Sequence, residues 1–171
     1  MYLIVIVCFW LLISFFFLDR HHFTFYYSTI QYYIILNLVY NLLYYNHTLW
    51  AFQGISTTFL NHTIIDLTFS FIVLPIAICI YLTYFPNIVP FNFLYITLWS
   101  SFFTFLEWAC YQFEMFIYDN GWSILHTLWF NALLFSMLRV HSKKPFLALS
   151  LSIPITVILI HFFPIPFSKL K

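Results

Sequence analysis

Residues 21 to 65 carry no Asp, Glu, Lys or Arg, and neither do residues 67 to 106. A water-soluble globule must cover itself with polar side chains, and this chain of 171 residues has six Lys or Arg and five Asp or Glu to do so. With 64% hydrophobic and 25% aromatic residues and a mean hydropathy of +0.94, it reads as an integral membrane protein. The charges gather at Asp19-Arg20, around Arg139 to Lys144 and at Lys169 and Lys171, where loops outside the hydrocarbon are expected. A net charge of +1 offers no groove for nucleic acid and implies no acidic partner.

A helix needs about 20 apolar residues to cross a bilayer. Six stretches qualify, roughly residues 2 to 18, 23 to 45, 64 to 85, 92 to 117, 123 to 140 and 145 to 163. The expected fold class is therefore all-α, a polytopic bundle of six spans forming one domain over 1–171, with five spans if the first segment is a signal. That segment lacks a basic leader and a small-x-small cleavage site before Asp19, which argues for a retained helix. Pro86, Pro90, Asp119-Asn120-Gly121 and Ser142 to Pro145 mark turns; Pro75 and Pro154 fall inside spans and are expected to kink them. Residues 46 to 63, uncharged and flanked by two Asn-His-Thr sequences, read as an interfacial or re-entrant connection. Cys8, Cys79 and Cys110 sit in apolar surroundings and read as packing residues. With only two glycines, GxxxG packing is excluded. Counting positive charges by loop places both termini outside.

Two helices carry polar stripes. At about 100° per residue, Ser100, Thr104, Glu107, Tyr111, Glu114 and Tyr118 fall within an arc of roughly 80°, as do Tyr26, Tyr33, Asn37, Asn41 and Tyr44 within a similar arc. Facing lipid, such groups cost several kcal/mol each, so the stripes should face each other or a water-filled gap. Glu107, about 5 Å from the centre of its span, is the key residue. It serves either as a proton, cation or ligand contact or as a clasp to Asn37, Asn41 or a tyrosine. The expected buried seam is Glu107, Tyr111, Glu114, Asn37 and Asn41.

Chain parity puts the 46 to 63 connection and the 118 to 122 turn on one membrane face. His47, His62, Asp66, Asp119, Trp122 and His126 gather there. The i, i+4 spacing of His62 and Asp66 suits a hydrogen-bonded pair or two metal ligands, but without a tighter motif no metal is assigned, and no cofactor is implied. The tryptophans read as interfacial belts and packing, against a cage for a cationic ligand. His21, His22 and His141 are expected on the opposite face, solvated or facing the headgroups. No nucleophile triad, P-loop, dinucleotide fingerprint or CxxC pair occurs.

Leu74-Pro75, Phe85-Pro86, Leu106-Glu107-Trp108 and Asn120-Gly121-Trp122 together resemble a family of small uncharacterised multi-pass membrane proteins of spore-forming Bacillota. The resemblance covers roughly the middle half of the chain. It implies a helical bundle of the bacterial cytoplasmic membrane, with signature positions at Glu107 and Trp122 and no activity to carry over. The functional expectation is a small transport, permeation or accessory component of that membrane. Alternatives are a membrane-embedded enzyme acting on a lipid-like substrate through Glu107 or the His62, Asp66, Glu114 and His126 group, and a scaffold for another membrane protein. The expected partners are the lipid bilayer and a membrane protein or a second copy of the chain.

Overall fold

The computed structural model describes residues 2–18, 20–53 and 62–166, leaving out the side chains of Tyr2, Arg20 and His62. Among the described residues it forms six helices and one short ribbon. Helix α1 is Tyr2–Phe17 and α2 is Arg20–Leu43. Helix α3 consists of three abutting pieces, His62–Thr68, the π-helical turn Phe69–Val73 and Leu74–Thr83. Helices α4, α5 and α6 are Val89–Gln112, Ile124–Lys143 and Pro145–Phe162. Proline opens both α4 and α6, where its missing N–H costs nothing and its fixed φ suits the first turn.

The all-α expectation holds. Thr63–Thr83, Val89–Gln112 and Pro145–Phe162 are each long and apolar enough to cross a membrane, and Leu3–Phe17 is a shorter apolar helix. Helices α2 and α5 fall below that level of hydropathy because they carry the bundle's internal polar groups. Thr29, Thr127, Asn131 and His141 are all buried. The most buried segment is the second half of α3, where Pro75 to Leu82 are enclosed on every side. Helix α1 packs against this segment through Trp10, Val73, Ile76, Ala77 and Ile80. Helices α2, α4 and α5 close around the rest through Tyr33, Tyr81, Phe135 and Leu138, with Trp99 and Phe103 of α4 packed against them. Helix α6 lies outside, with Ala148 alone buried along it. The outer faces are greasy: Phe15, Phe93, Trp129 and Phe146 are 71 to 84% exposed, a density of apolar surface that water does not tolerate and a bilayer does.

Tyrosines fasten the helices together. Tyr26 donates to the Leu82 carbonyl at 3.0 Å, Tyr81 to Phe135 at 2.9 Å and Tyr44 to Phe163 at 3.0 Å. Two of these acceptors lie at or just beyond helix C-termini, where carbonyls lack an intrahelical partner.

Ahead of Pro75 the turn widens into the π segment, which accommodates a ring that would clash with the carbonyl four residues earlier and supplies no N–H. Pro154 lies inside α6, which continues to Phe162. Several other expectations need correction. Helix α4 ends at Gln112 rather than 117, because the chain turns at Glu114 with φ +58° and enters a strand. That strand, β2 (Phe116–Tyr118), pairs antiparallel with β1 (Trp50–Phe52), Trp50 opposite Tyr118 and Phe52 opposite Phe116. The described part of the 46 to 63 connection is thus a turn and a strand; residues 54 to 61 lie outside the described residues. His141 is buried, its Nδ1 3.0 Å from Thr29 Oγ1 and its ring stacked on Tyr32 at 4.2 Å. Tyr32 in turn meets Ser152 Oγ at 2.7 Å, so a second polar knot joins α2, α5 and α6.

Candidate functional site

The ribbon joins the 46 to 63 connection to the 118 to 122 turn at one end of the bundle. The Asp119 N–H donates to the Leu49 carbonyl at 2.9 Å and Asn120 Nδ2 to the Thr48 carbonyl at 2.7 Å. Asn120 (φ +49°) and Gly121 (φ +84°) take left-handed conformations in succession, which asparagine and glycine adopt at least cost. That turn delivers Trp122, 7% exposed, beneath the ribbon.

Trp122 is the head of a short polar chain. Its Nε1–H donates to Thr127 Oγ1 at 2.9 Å, and Thr127 Oγ1–H donates to Glu107 Oε1 at 2.9 Å. One helical turn deeper, Asn131 Nδ2 donates to Thr104 Oγ1 at 3.1 Å. Helices α4 and α5 are thereby zipped by two rungs. Beside them the Tyr118 hydroxyl is buried close to Glu107 and Thr127. Burial and then the Glu107 charge push that phenol above its ordinary pKa.

A second polar group ties α2 to α3. Asn41 Nδ2 donates to Asp66 Oδ2 at 2.8 Å; Asn37 Nδ2 donates to Ser70 Oγ at 2.7 Å and to Asp66 Oδ2 at 3.4 Å. Ser70 Oγ–H turns back to the Asp66 carbonyl at 2.7 Å, a bond that competes with the helix ladder at the start of the π turn. The expected clasp between Glu107 and Asn37 or Asn41 is therefore replaced: the asparagines hold Asp66, and Thr127 holds Glu107. Each stripe bonds to its own neighbouring helix.

The two groups still face each other, across a cavity of about 570 Å³ lined by both Glu107 and Asp66. Tyr33 and Asn37 of α2, Thr127 and Asn131 of α5, and the native thiol Cys110 of α4 also line it. Trp50, Phe52, Phe116 and Trp122 form its aromatic end under the ribbon, with Trp50 stacked on Tyr40 at 4.1 Å and 4.8 Å from Trp122. Tyr33 lies within electrostatic reach of both carboxyls.

The other residues singled out in the sequence lie apart. Tyr111 and Glu114 are exposed, beyond the buried seam, because the helix stops and the chain turns outward; Tyr111 stacks on Tyr118 at 5.3 Å. Asp119 is exposed and accepts the Asn120 N–H at 2.7 Å, shaping the turn. His126 is exposed, its Nδ1 2.8 Å from Ser123 Oγ. His47 is half-buried, its N–H on the Tyr44 carbonyl at 3.1 Å. The His62 side chain, and with it the His62 and Asp66 pair, lies outside the described residues. Among the described residues no three His, Cys, Asp or Glu side chains are grouped to hold a metal.

Thr127, Asn131, Thr104 as a bonded rung, and Ser70 are the residues that sequence reasoning passed over or left unassigned. Thr127 and Asn131 are spaced i, i+4 within an otherwise apolar helix; the stripe test applied to α4, repeated on α5, finds them. Comparison of the chain with family models, with curated proteins and with solved structures gives no match.

Proposed function

We propose that the chain is a multi-pass protein of the bacterial cytoplasmic membrane that works as a small transport or permeation component, with the cavity lined by helices α1 to α5 and the ribbon as its solute compartment. One observation carries the reading: Glu107 and Asp66, two carboxyls in the membrane-embedded part of the bundle, line a common cavity instead of being sealed in packing. An ionisable group at this depth is costly to maintain unless it serves a path or a ligand. The surrounding bilayer is its first partner, met by the apolar outer faces of α1, α4 and α6.

Flux into vesicles reconstituted with purified protein tests this. Cavity-sized neutral, cationic and anionic solutes are supplied in turn; uptake by the wild type that Glu107→Gln abolishes supports the proposal, and no uptake of any class contradicts it. The same pair of carboxyls on one cavity also favours a second reading, acid and base chemistry on a lipid-like substrate. New products in a lipid extract incubated with wild type and absent with Glu107→Gln would select that reading.

A further inference from the structure

We propose that the cavity is a binding site for a lipophilic organic cation, which enters sideways from the bilayer between α1 and α4; this rests on the solute-compartment reading above. Its walls are almost wholly apolar and aromatic, and at about 570 Å³ it has the size of a pocket for a multi-ring organic molecule. Its charge has one sign. Glu107 and Asp66 line it, while no Lys, Arg or His among the described residues does.

Glu107 is held by a neutral donor, Thr127. In its ionised form it is a buried anion that a bound cation compensates, and an anionic headgroup entering the same space is repelled. The tryptophan rings of Trp50 and Trp122 at the ribbon end add π faces that attract cations and reject anions.

The lateral entry follows from how α1 sits. Its C-terminal end is fixed far from the ribbon, where Tyr84 donates to the Phe17 carbonyl at 3.3 Å. Midway, Trp10 meets Phe103 of α4 at 6.1 Å. Toward the ribbon, Val5 and Phe9 on α1 and Phe113 just past α4 all line the cavity and yet are 65%, 53% and 68% exposed. A residue that faces both the cavity and the surroundings marks an opening. Because those surroundings are the outer apolar face of the bundle, the opening leads to lipid, from which a lipophilic cation arrives already partitioned.

The test uses full-length protein in phosphatidylcholine nanodiscs, with empty discs as the partition control. Three probes of similar shape are compared: tetraphenylphosphonium, neutral triphenylphosphine oxide and anionic tetraphenylborate. The expected result is that the cation binds about tenfold tighter than the neutral probe, as one or two such contacts supply. The anion does not bind above empty discs, and tryptophan emission is quenched. Glu107→Gln should reduce the preference while leaving the neutral probe's affinity unchanged, which also shows that the variant is folded. Narrowing the opening with Ala109→Trp, or with Val5→Trp from the facing helix, should slow association about tenfold at unchanged affinity, since the substitution obstructs the path and not the bound state. Equal binding of all three probes, or a preference that Glu107→Gln leaves unchanged, overturns the cation site but leaves the solute compartment standing. Unchanged association in both tryptophan variants overturns the lateral entry. Absence of binding by every probe overturns both the site and the compartment.

Discussion

At the scale of single residues, Thr127 is the pivot. Its hydroxyl accepts from Trp122 and donates to Glu107, so it joins the two neighbourhoods, Leu-Glu-Trp and Asn-Gly-Trp, that the sequence marks separately. Thr127→Val keeps the shape and removes both bonds. Leaving two buried groups unsatisfied should cost about 1 to 3 kcal/mol each, read as a lower unfolding midpoint in detergent, whereas Thr127→Ser should stay close to wild type. A valine variant as stable as the wild type would mean that the chain of bonds is not formed. Glu107 and Trp122 were legible because a carboxyl deep in a span and a tryptophan after Asn-Gly are both unusual. Thr127 was not, because one threonine in an apolar helix is unremarkable until its bonding partners are known. The partner of Asn37 and Asn41 was also illegible: helical phase gives the face on which a residue lies, and which neighbouring helix meets that face is decided by packing.

At the scale of elements, periodicity and length located all six helices, since apolar runs bounded by proline and Asp-Asn-Gly turns leave little choice. Their ends were harder. Helix α4 stops at Gln112 although apolar residues continue, because backbone pairing with Trp50–Phe52 satisfies the chain equally well and the partner strand lies more than sixty residues earlier. No local pattern reports such a partner. The ribbon makes a direct prediction: Ala51→Cys with Ile117→Cys, set opposite each other at the roughly 5 Å Cβ spacing of paired strands, should form a disulfide under mild oxidation. Ala51→Cys with a cysteine at Phe113 should not. Crosslinking of both pairs alike would refute the register. In α3, Pro75→Ala restores an N–H and removes the ring that the π turn accommodates. This variant should remain folded and alter the cavity wall at Phe69 and Val73, measurable as a change in probe affinity without loss of thermal stability.

At the scale of the whole molecule, the most apolar span, α3, is also the most buried, while α4 and α6 are scarcely buried by the rest of the chain. Helices α2 and α5 are too polar to look like spans by hydropathy alone. A protein built this way needs lipid around it. It should stay in the pellet after alkaline carbonate washing of membranes and be released by detergent; release by carbonate alone would contradict the bilayer reading. The composition made this arrangement legible as a class, but not the void at its centre. A cavity is what remains when bulky side chains such as Trp10, Phe103 and Trp122 pack as far as their shapes allow, and no single position records it. Whether Glu107 and Asp66 face that void or a sealed core decides between a compartment and a clasp.

The native thiols report on this directly. Cys8 is exposed, Cys79 is buried with 0% accessibility, and Cys110 lines the cavity one turn from Glu107. The decisive measurement is the reaction of a Cys8→Ser variant, reconstituted in lipid vesicles, with a small methanethiosulfonate, followed by intact mass. One modification is expected, at Cys110, slowed when a cavity ligand is present, with Cys79 reacting only after unfolding. A Cys110 as inert as Cys79 would contradict it, and would make Glu107 a clasp between helices instead of a wall of an accessible cavity.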